Sequence, residues 1–252
     1  MSLCNILITR PIDDAKITAK ELEALGLTPI ISPLLSIHMR PITSEASFAT
    51  TNSPMGTIII SSSNAIRAIA RYKIPTNTQL ITVGKRSEKI AKELGFTNVS
   101  SANGNVIDLI LHIKTHFKPE QGKLIYASAD VITTDLDTQL RNIGYDIERV
   151  IVYESRPVQE FSNNTISLIK ERKINALTFY SQETAKHFLL LLEHYKLTAY
   201  TTNIVVFCMS QAIAKWLQKA QFHTILYPKH PNSDSMLELI ANFRFTVGSI
   251  KS

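Results

Sequence analysis

The chain alternates short apolar runs with segments in which apolar residues recur at helical spacing. Residues 6–8 form the first apolar run and are predicted to be a strand. One helical face follows, marked by Ala15, Thr18, Ala19, Leu22 and Leu25. Gly26 is expected to end that helix. Residues 30–37, interrupted by Pro33, are predicted to form a second strand. Residues 58–60 are continuously apolar, as expected of a strand that helices cover on both faces. This alternation predicts an α/β fold with parallel sheets.

The strand-and-helix pattern occurs twice, in the same order, with a period of roughly 120 residues. The corresponding segments are residues 5–10 and 123–128, residues 21–27 and 139–145, residues 57–62 and 176–181, and residues 80–84 and 206–210. Repetition at this period predicts two similar lobes, each an open parallel sheet of the flavodoxin-like type. We expect a cleft between the lobes and a ligand bound in it.

The order of the repeats predicts that the chain crosses between the lobes twice. One lobe is expected to combine the two chain ends, residues 1–36 and 156–252, and the other to contain residues 40–152. Strand-like segments near residues 36–40 and 152–156 make the two crossings. Because neither is rich in Gly and Ser, we expect a semi-rigid, two-stranded hinge.

Composition is typical of a globular protein with sizeable cores: 44% of the 252 residues are hydrophobic and 19% are charged. No signal peptide is predicted, because residues 4–8 already have a strand pattern. The apolar run of residues 188–192 is too short to span a bilayer. We therefore expect a cytoplasmic monomer that does not bind membranes.

The net charge of +6 is compatible with an anionic ligand. Basic residues are spread along the chain, without the clustering of a nucleic-acid interface, so we expect no nucleic-acid partner. Cys4 and Cys208 lie in apolar segments and are predicted to be free, buried thiols. His112 and His116 have helical spacing and are interpreted as part of an exposed face, and no metal site is predicted. The glycine-rich fingerprints of dinucleotide and triphosphate sites do not occur, and no cofactor is predicted.

Hydroxyl-rich turns between strands and helices are the candidate binding elements. Their residues are Arg10, Ser61, Ser62, Asn64, Gly84, Lys85, Arg86, Ser128, Ser181, Gln182, Ser210 and Gln211. Ser and Asn at such positions often only cap the following helix. However, parallel sheets gather these turns at the carboxyl edge of the strands, where helix N-termini bind carboxylates or phosphates. Capping and anion binding use the same geometry, so both interpretations stay open.

Tyr153 follows the apolar run of residues 150–152, at the predicted return crossing. It is expected to face the cleft or its rim. The alternative is a half-buried aromatic side chain whose hydroxyl contacts water.

The order, spacing and duplication of these segments resemble those of uroporphyrinogen-III synthases. The resemblance is carried by residues 6–11, 33–37, 60–66, 82–84, 152–153, 179–181 and 208–210. It implies two α/β lobes joined by a two-stranded connector, and a cofactor-free lyase of haem biosynthesis. The implied substrate is hydroxymethylbilane, a linear tetrapyrrole polycarboxylate. The enzyme closes it with loss of water and inversion of the last ring, through a spiro intermediate.

The resemblance also implies residue roles. Tyr153 matches the family's cleft tyrosine, a candidate acid for the departing hydroxyl, and Ser62 and Ser181 match its strand-end serines. Ser210 and Ile213 stand where family members usually have Gly and, three residues later, Thr. Substrate contacts from this turn then fall to Ser210 or Gln211. The alternative function is a two-lobed protein that binds an anionic small molecule without transforming it.

Overall fold

A computed structural model describes residues 4–41, 56–72, 74–132 and 134–247, with residues 244–247 described by their backbone alone. The chain divides into two compact units. We call Met1–Ser36 with Arg156–Ser252 the terminal unit, and Ile37–Ser155 the central unit. Within the described ranges, no helix is long and apolar enough to cross a membrane.

The terminal unit is a parallel five-stranded sheet between two layers of helices. Its strands are β1 (Asn5–Ile8), β2 (Thr28–Ile31), β9 (Ala176–Phe179), β10 (Val205–Cys208) and β11 (Thr224–Leu226). Its helices are α1 (Ile12–Ala24), α6 (Asn163–Lys170), α7 (Gln182–His194), α8 (Gln211–Leu217) and α9 (Ser233–Val247), with a short 3₁₀ helix at Thr198–Tyr200. The strand order is β11-β10-β9-β1-β2, and each neighbouring pair is parallel.

Successive strand residues of the terminal unit enter different cores, as the alternation of a strand requires. Ile6 and Ile8 pack with α1 and α9, whereas Leu7 packs in a core that contains residues of α6, α7 and α8. The helix α1 ends as predicted: its last residue is Ala24, and Gly26 follows with a φ of 71°. Glycine adopts this left-handed conformation without steric cost.

The central unit contains a six-stranded sheet. Its strands are β3 (Leu35–Met39), β4 (Thr57–Ile60), β5 (Leu80–Thr82), β6 (Val99–Ser101), β7 (Leu124–Ala129) and β8 (Ile147–Pro157). Its helices are α2 (Ser63–Ile69), α3 (Lys85–Glu93), α4 (Val106–His116) and α5 (Leu136–Asn142), with a 3₁₀ helix at Pro119–Gln121. The strand order is β3-β8-β7-β4-β5-β6, and the pairs from β8 to β6 are parallel.

The two sheets have the same arrangement once the predicted repeats are aligned. In the terminal unit the strands run β11-β10-β9-β1-β2, and in the central unit they run β6-β5-β4-β7-β8, followed by β3. The pairs β1 and β7, β9 and β4, and β10 and β5 are the repeats identified from the sequence. The predicted α/β class with two similar, mostly parallel sheets is therefore confirmed.

The prediction of one strand over residues 30–37 is wrong. The chain forms β2 up to Ile31 and then β3 from Leu35, and the two strands belong to different sheets. Pro33 explains the break, because proline has no backbone N–H to donate to a ladder. Next to β8, β3 runs antiparallel: the Arg40 amide bonds to the Val152 carbonyl at 3.0 Å and the Val158 amide to the Leu34 carbonyl at 3.1 Å. The hinge and the cleft stay predictions.

We propose that the central unit folds without the rest of the chain. One of its cores is made of buried residues between Ile59 and Ile147 and uses none from the terminal unit. A fragment of residues 37–155 is therefore expected to melt cooperatively, as followed by circular dichroism. A fragment of residues 1–120, which lacks β7 and β8, is expected to melt without a sharp transition. Cooperative melting of the 1–120 fragment alone would indicate two sequential domains instead.

Candidate functional site

Each sheet has a switch point, at which neighbouring strands lead the chain in opposite directions. In the terminal unit β1 continues to β2 on one side and β9 to β10 on the other. In the central unit β4 continues to β5 and β7 to β8, again in opposite directions. Ligands of open α/β sheets bind outside the carboxyl ends of the strands at such points. The two candidate positions are therefore the edge after β1 and β9 and the edge after β4 and β7.

Arg10 and Tyr180 stack at the switch point of the terminal unit. Arg10 follows β1 after Thr9, and its guanidinium lies 4.0 Å from the centroid of the Tyr180 ring, just after β9. Its Nη2 donates to Asp14 Oδ2 at 2.9 Å, one turn into α1. The two strands are also joined by the Thr9 hydroxyl, which donates to the Thr178 carbonyl at 2.7 Å. Arg10 is thus held by an aromatic face and a carboxylate.

Two buried donors at this position have no partner among the residues that the structure describes. They are Nη1 of Arg10 and the hydroxyl of Tyr180. Buried polar atoms are almost always hydrogen-bonded, so an unpartnered pair favours a ligand or water as the partner. A guanidinium and a phenol are both suited to a carboxylate oxygen. This pair is the best candidate for an anion contact in the terminal unit.

The serines after β9 and β10 are helix caps, as the capping interpretation predicted. Ser181 accepts from the Thr184 amide at 3.2 Å, and the two hydroxyls lie 2.7 Å apart. Ser210 accepts from the Ile213 amide at a longer 3.5 Å. Thr184 supplies a second hydroxyl in the turn at Ser181. Ile213 occupies the corresponding position after Ser210, so the turn at Ser210 lacks that second hydroxyl. The adjoining glutamines, half-buried Gln182 and exposed Gln211, are the first residues of α7 and α8.

The turn after β4 presents a serine bonded to a buried phenol. Ser61 Oγ lies 3.0 Å from the hydroxyl of Tyr126, which comes from β7 across the switch point. Ser62 caps α2 by accepting from the Asn64 amide at 3.2 Å. The side-chain oxygen of Asn64 accepts from Arg67 at 3.0 Å. Ser61 and Ser62 are half-buried, whereas Asn64 is buried and its side-chain oxygen is already bonded to Arg67.

Burial raises the pKa of the Tyr126 hydroxyl above its ordinary value, while the bond to Ser61 and the charge of Arg149 act in the opposite direction. Tyr126 is 3% exposed, so the phenol stays neutral over the physiological range. A neutral phenol can donate to Ser61 and leave the serine hydrogen free for a ligand.

The turn after β5 supplies a helix N-terminus and two cations. Gly84 caps α3 in an extended conformation, without a side-chain bond. Lys85 and Arg86 are the first two residues of that helix, Lys85 exposed and Arg86 half-buried. A helix start with basic side chains favours an anion.

Ser128 is not in a turn, contrary to the prediction. It lies in β7 and is 1% exposed. Its hydroxyl accepts from Arg149 Nε at 2.9 Å and donates to the Ala129 carbonyl at 2.9 Å. The prediction placed Ser128 in the turn after the strand, but β7 extends to Ala129 and includes it. Its role in substrate binding stays a prediction.

Tyr153 lies inside β8 rather than after it, and it is 6% exposed. A β-bulge places it there. Up to Ser128 the ladder pairs one residue with one, but Ala129 pairs with Tyr153 and Val152 is left over. The Asp130 amide donates to the Tyr153 carbonyl at 3.0 Å. Bulges often re-aim side chains next to active sites.

The sequence did not identify Tyr180, Tyr126 and Arg149 as site residues. Tyr180 contacts Arg10, Tyr126 contacts Ser61, and Arg149 contacts Ser128. Tyr126 and Tyr180 stand in or beside apolar strands, where an aromatic residue is expected for packing alone. Arg149 gave the clearest signal, since a charged residue directly before the apolar run of residues 150–152 needs partners. The turns and helix starts after β1, β4, β5, β9 and β10 contain all the predicted binding residues except Ser128, which lies within β7.

Cys208 and the pair His112 and His116 were also candidates for chemistry in the sequence. Cys208 is buried, and burial raises the pKa of its thiol to about 12. The rings of His112 and His116 stack on α4 with centroids 4.3 Å apart. Over the part of the chain that the structure describes, no three His, Cys, Asp or Glu residues are grouped to hold a metal ion.

Comparison with known proteins identifies the family. The model of the family described as uroporphyrinogen-III synthase HemD matches residues 16–238. A curated relative, the porphyrin biosynthesis protein HemD of Ruminiclostridium josui, is 24% identical over 245 residues. That alignment covers 92% of this chain and 47% of the relative, so the chain spans about half of the relative's length.

Two solved structures are similar in fold. Uroporphyrinogen-III synthetase from Helicobacter pylori aligns with a TM-score of 0.61 and 19% identity, over 96% of this chain and 100% of that one. A mutant uroporphyrinogen III synthase from Thermus thermophilus aligns with a TM-score of 0.56 and 13% identity, over 98% of this chain and 99% of that one.

Proposed function

Because this chain belongs to the uroporphyrinogen-III synthase family, we propose that it cyclises and dehydrates hydroxymethylbilane with inversion of the last ring. The observation that carries the proposal is the family match over residues 16–238, which includes most of both units. The site is consistent with it, since both carboxyl edges present donors suited to carboxylates.

We propose that the two edges bind the carboxylates of the substrate. Arg10 and Tyr180 offer buried donors in the terminal unit, together with the helix starts at Ser181 and Ser210. Ser61, in the central unit, offers a hydroxyl that lies 3.0 Å from the hydroxyl of Tyr126. A substrate held at several carboxylates has few conformations left. This matters because the free bilane closes without inversion, so much of catalysis is control of geometry.

Tyr153 is the proposed acid for the departing hydroxyl. An ordinary phenol keeps its proton near neutral pH and can therefore donate it. Protonation releases water and leaves a cation on the terminal carbon. Attack by the substituted carbon of the last ring gives the spiro intermediate, and rearrangement with loss of a proton yields the inverted macrocycle. A cytoplasmic location and a monomeric state are proposed on sequence grounds alone.

The test is an isomer assay on the purified protein. Freshly made hydroxymethylbilane, without added metal or nucleotide, is expected to give mainly the inverted type III product, resolved from type I by chromatography. Dialysis against a chelator is expected to leave the rate unchanged. A protein that binds the bilane but yields only type I product would instead be the binding protein of the alternative hypothesis. Loss of activity on dialysis would contradict cofactor-free catalysis.

A further inference from the structure

Arg149 joins the end of β7 to β8 through three hydrogen bonds. Its Nε donates to Ser128 Oγ at 2.9 Å, and its Nη2 donates to the carbonyls of Ala129 at 2.8 Å and Asp130 at 2.7 Å. Arg149 itself sits opposite Tyr126, so its side chain reaches along the neighbouring strand toward the carboxyl edge. The planar guanidinium fork fixes the relative positions of all three acceptors.

The three acceptors lie at the β-bulge that sets the register of Tyr153. The bulge falls between Ser128 and Ala129, and Tyr153 pairs with Ala129. The next residue, Asp130, donates its amide to the Tyr153 carbonyl at 3.0 Å. A bulge interrupts the regular ladder and leaves backbone groups that need other partners. Arg149 supplies two of those partners.

Without the extra residue, Val152 would stand opposite Ala129 where Tyr153 now stands. A shift of one residue in a strand exchanges the face on which each side chain lies. The side-chain position of Tyr153 therefore depends on the register at the bulge. The residue that contacts the bulge at Ser128, Ala129 and Asp130 is Arg149.

We propose that Arg149 is a positioning residue for the synthase reaction, which holds the end of β7 in the bulged register that aims Tyr153. The proposal rests on the proposed function, because it assigns the effect of Arg149 on turnover to Tyr153. It does not require Arg149 to contact the substrate. All of the residues involved belong to the central unit.

The kinetic test is a double-mutant cycle of Arg149→Met and Tyr153→Phe. In the natural background Arg149→Met is expected to lower kcat about 10-fold, with KM changed less than twofold, since small misplacements of a catalytic group have effects of this size. In the Tyr153→Phe background the same change is expected to lower kcat less than about twofold, because the hydroxyl is already absent. Arg149→Lys should be intermediate, since an ammonium cannot contact all three acceptors as a fork.

A structural readout separates the bulge from the chemistry. Amide exchange of Asp130, measured by NMR, is expected to accelerate about 10-fold or more in Arg149→Met, because its bond to Tyr153 is then less protected. The amide of Tyr126, in the middle of β7, should exchange at the natural rate. Arg71→Met, at an exposed arginine of the same unit, is the matched control and should change neither kcat nor the exchange of Asp130.

The outcomes are distinguishable. If the natural enzyme makes no type III product, the proposed function fails and the positioning role fails with it. If the natural enzyme is active, the inference alone is overturned by an Arg149→Met enzyme with natural kcat. Equal losses of kcat in both backgrounds, or unchanged exchange of Asp130, would overturn it too. If Arg149→Met does not fold, the same comparisons with Arg149→Lys decide.

Discussion

Asp14→Ala is expected to destabilise the terminal unit by about 3 kcal/mol. The side chains of Arg10 and Asp14 are only 12% and 7% exposed, and their ion pair is 2.9 Å long. Removal of the carboxylate leaves a buried guanidinium that already has an unpartnered Nη1. We expect the low end of the range for broken buried pairs, because Arg10 retains some contact with solvent and the ring of Tyr180 still faces its charge.

The measurement can be restricted to the terminal unit. The chain has one tryptophan, Trp216, which lies in α8. Its fluorescence in a urea titration therefore reports the unfolding of the terminal unit, whereas circular dichroism reports both units. Separate probes matter here because a two-unit protein need not unfold in one step.

Two variants control the interpretation. Asp13→Ala removes an exposed acid from the same helical turn and should cost less than about 1 kcal/mol, the size of a helix-terminus charge effect. The double variant Arg10→Met and Asp14→Ala should be more stable than Asp14→Ala alone, because it also removes the unpaired charge. A midpoint for Asp14→Ala equal to that of the natural protein would show that Arg10 is rehydrated at little cost.

The parallel sheets were predictable because a strand that is buried on both faces is visible in the sequence as a short, continuous apolar run. A strand such as β4, with three consecutive isoleucines, has no polar side to present to water. Its repeat, β9, is buried at every position. The stop of α1 was equally local, because Gly26 provides the left-handed conformation that ends the helix. Duplication of these local patterns was sufficient to predict two similar sheets.

The candidate site was predicted only in part, because its decisive contacts connect distant residues. Ser61 and Tyr126 are 65 positions apart, and nothing in either segment indicates their hydrogen bond. Arg10 and Tyr180 meet because β1 and β9 are neighbours, which the order of residues alone does not state. The bulge at Tyr153 depends on how the residues of β7 pair with those of β8, which neither strand's own sequence indicates. Sequence periodicity indicates which residues are buried, but not which backbone groups pair.

Substitution of the helix-cap serines is expected to affect substrate binding, whereas substitution of the proposed acid Tyr153 is expected to affect turnover. Ser62→Ala and Ser181→Ala each remove a cap oxygen that accepts from a helical amide, at a cost of about 1 kcal/mol in stability. If these serines also bind substrate carboxylates, KM should rise while kcat changes little. Neither should alter proton transfer. A fall in kcat without a rise in KM would remove them from substrate binding and assign them a different role.

Tyr153→Phe is expected to lower kcat by up to about 100-fold, the low end of general acid catalysis. We expect no more, because the hydroxyl departs readily from an electron-rich pyrrole and water can protonate it. The buried ring keeps its packing at 6% exposure, so the free energy of unfolding should fall by no more than about 1.5 kcal/mol. The ratio of type III to type I product should stay high, because ring inversion depends on how the bilane is held.

Stopped assays with freshly made hydroxymethylbilane measure both the rate and the isomer ratio of each variant, and circular dichroism confirms the fold. Tyr153→Phe and the serine variants are then separated by which constant changes, since loss of an acid lowers kcat and loss of a carboxylate contact raises KM. A Tyr153→Phe enzyme with the natural kcat would remove Tyr153 from the mechanism. Catalysis would then consist of holding the cation in one folded geometry. The residues that hold it would be sought at the carboxyl edges that contain Arg10 and Ser61.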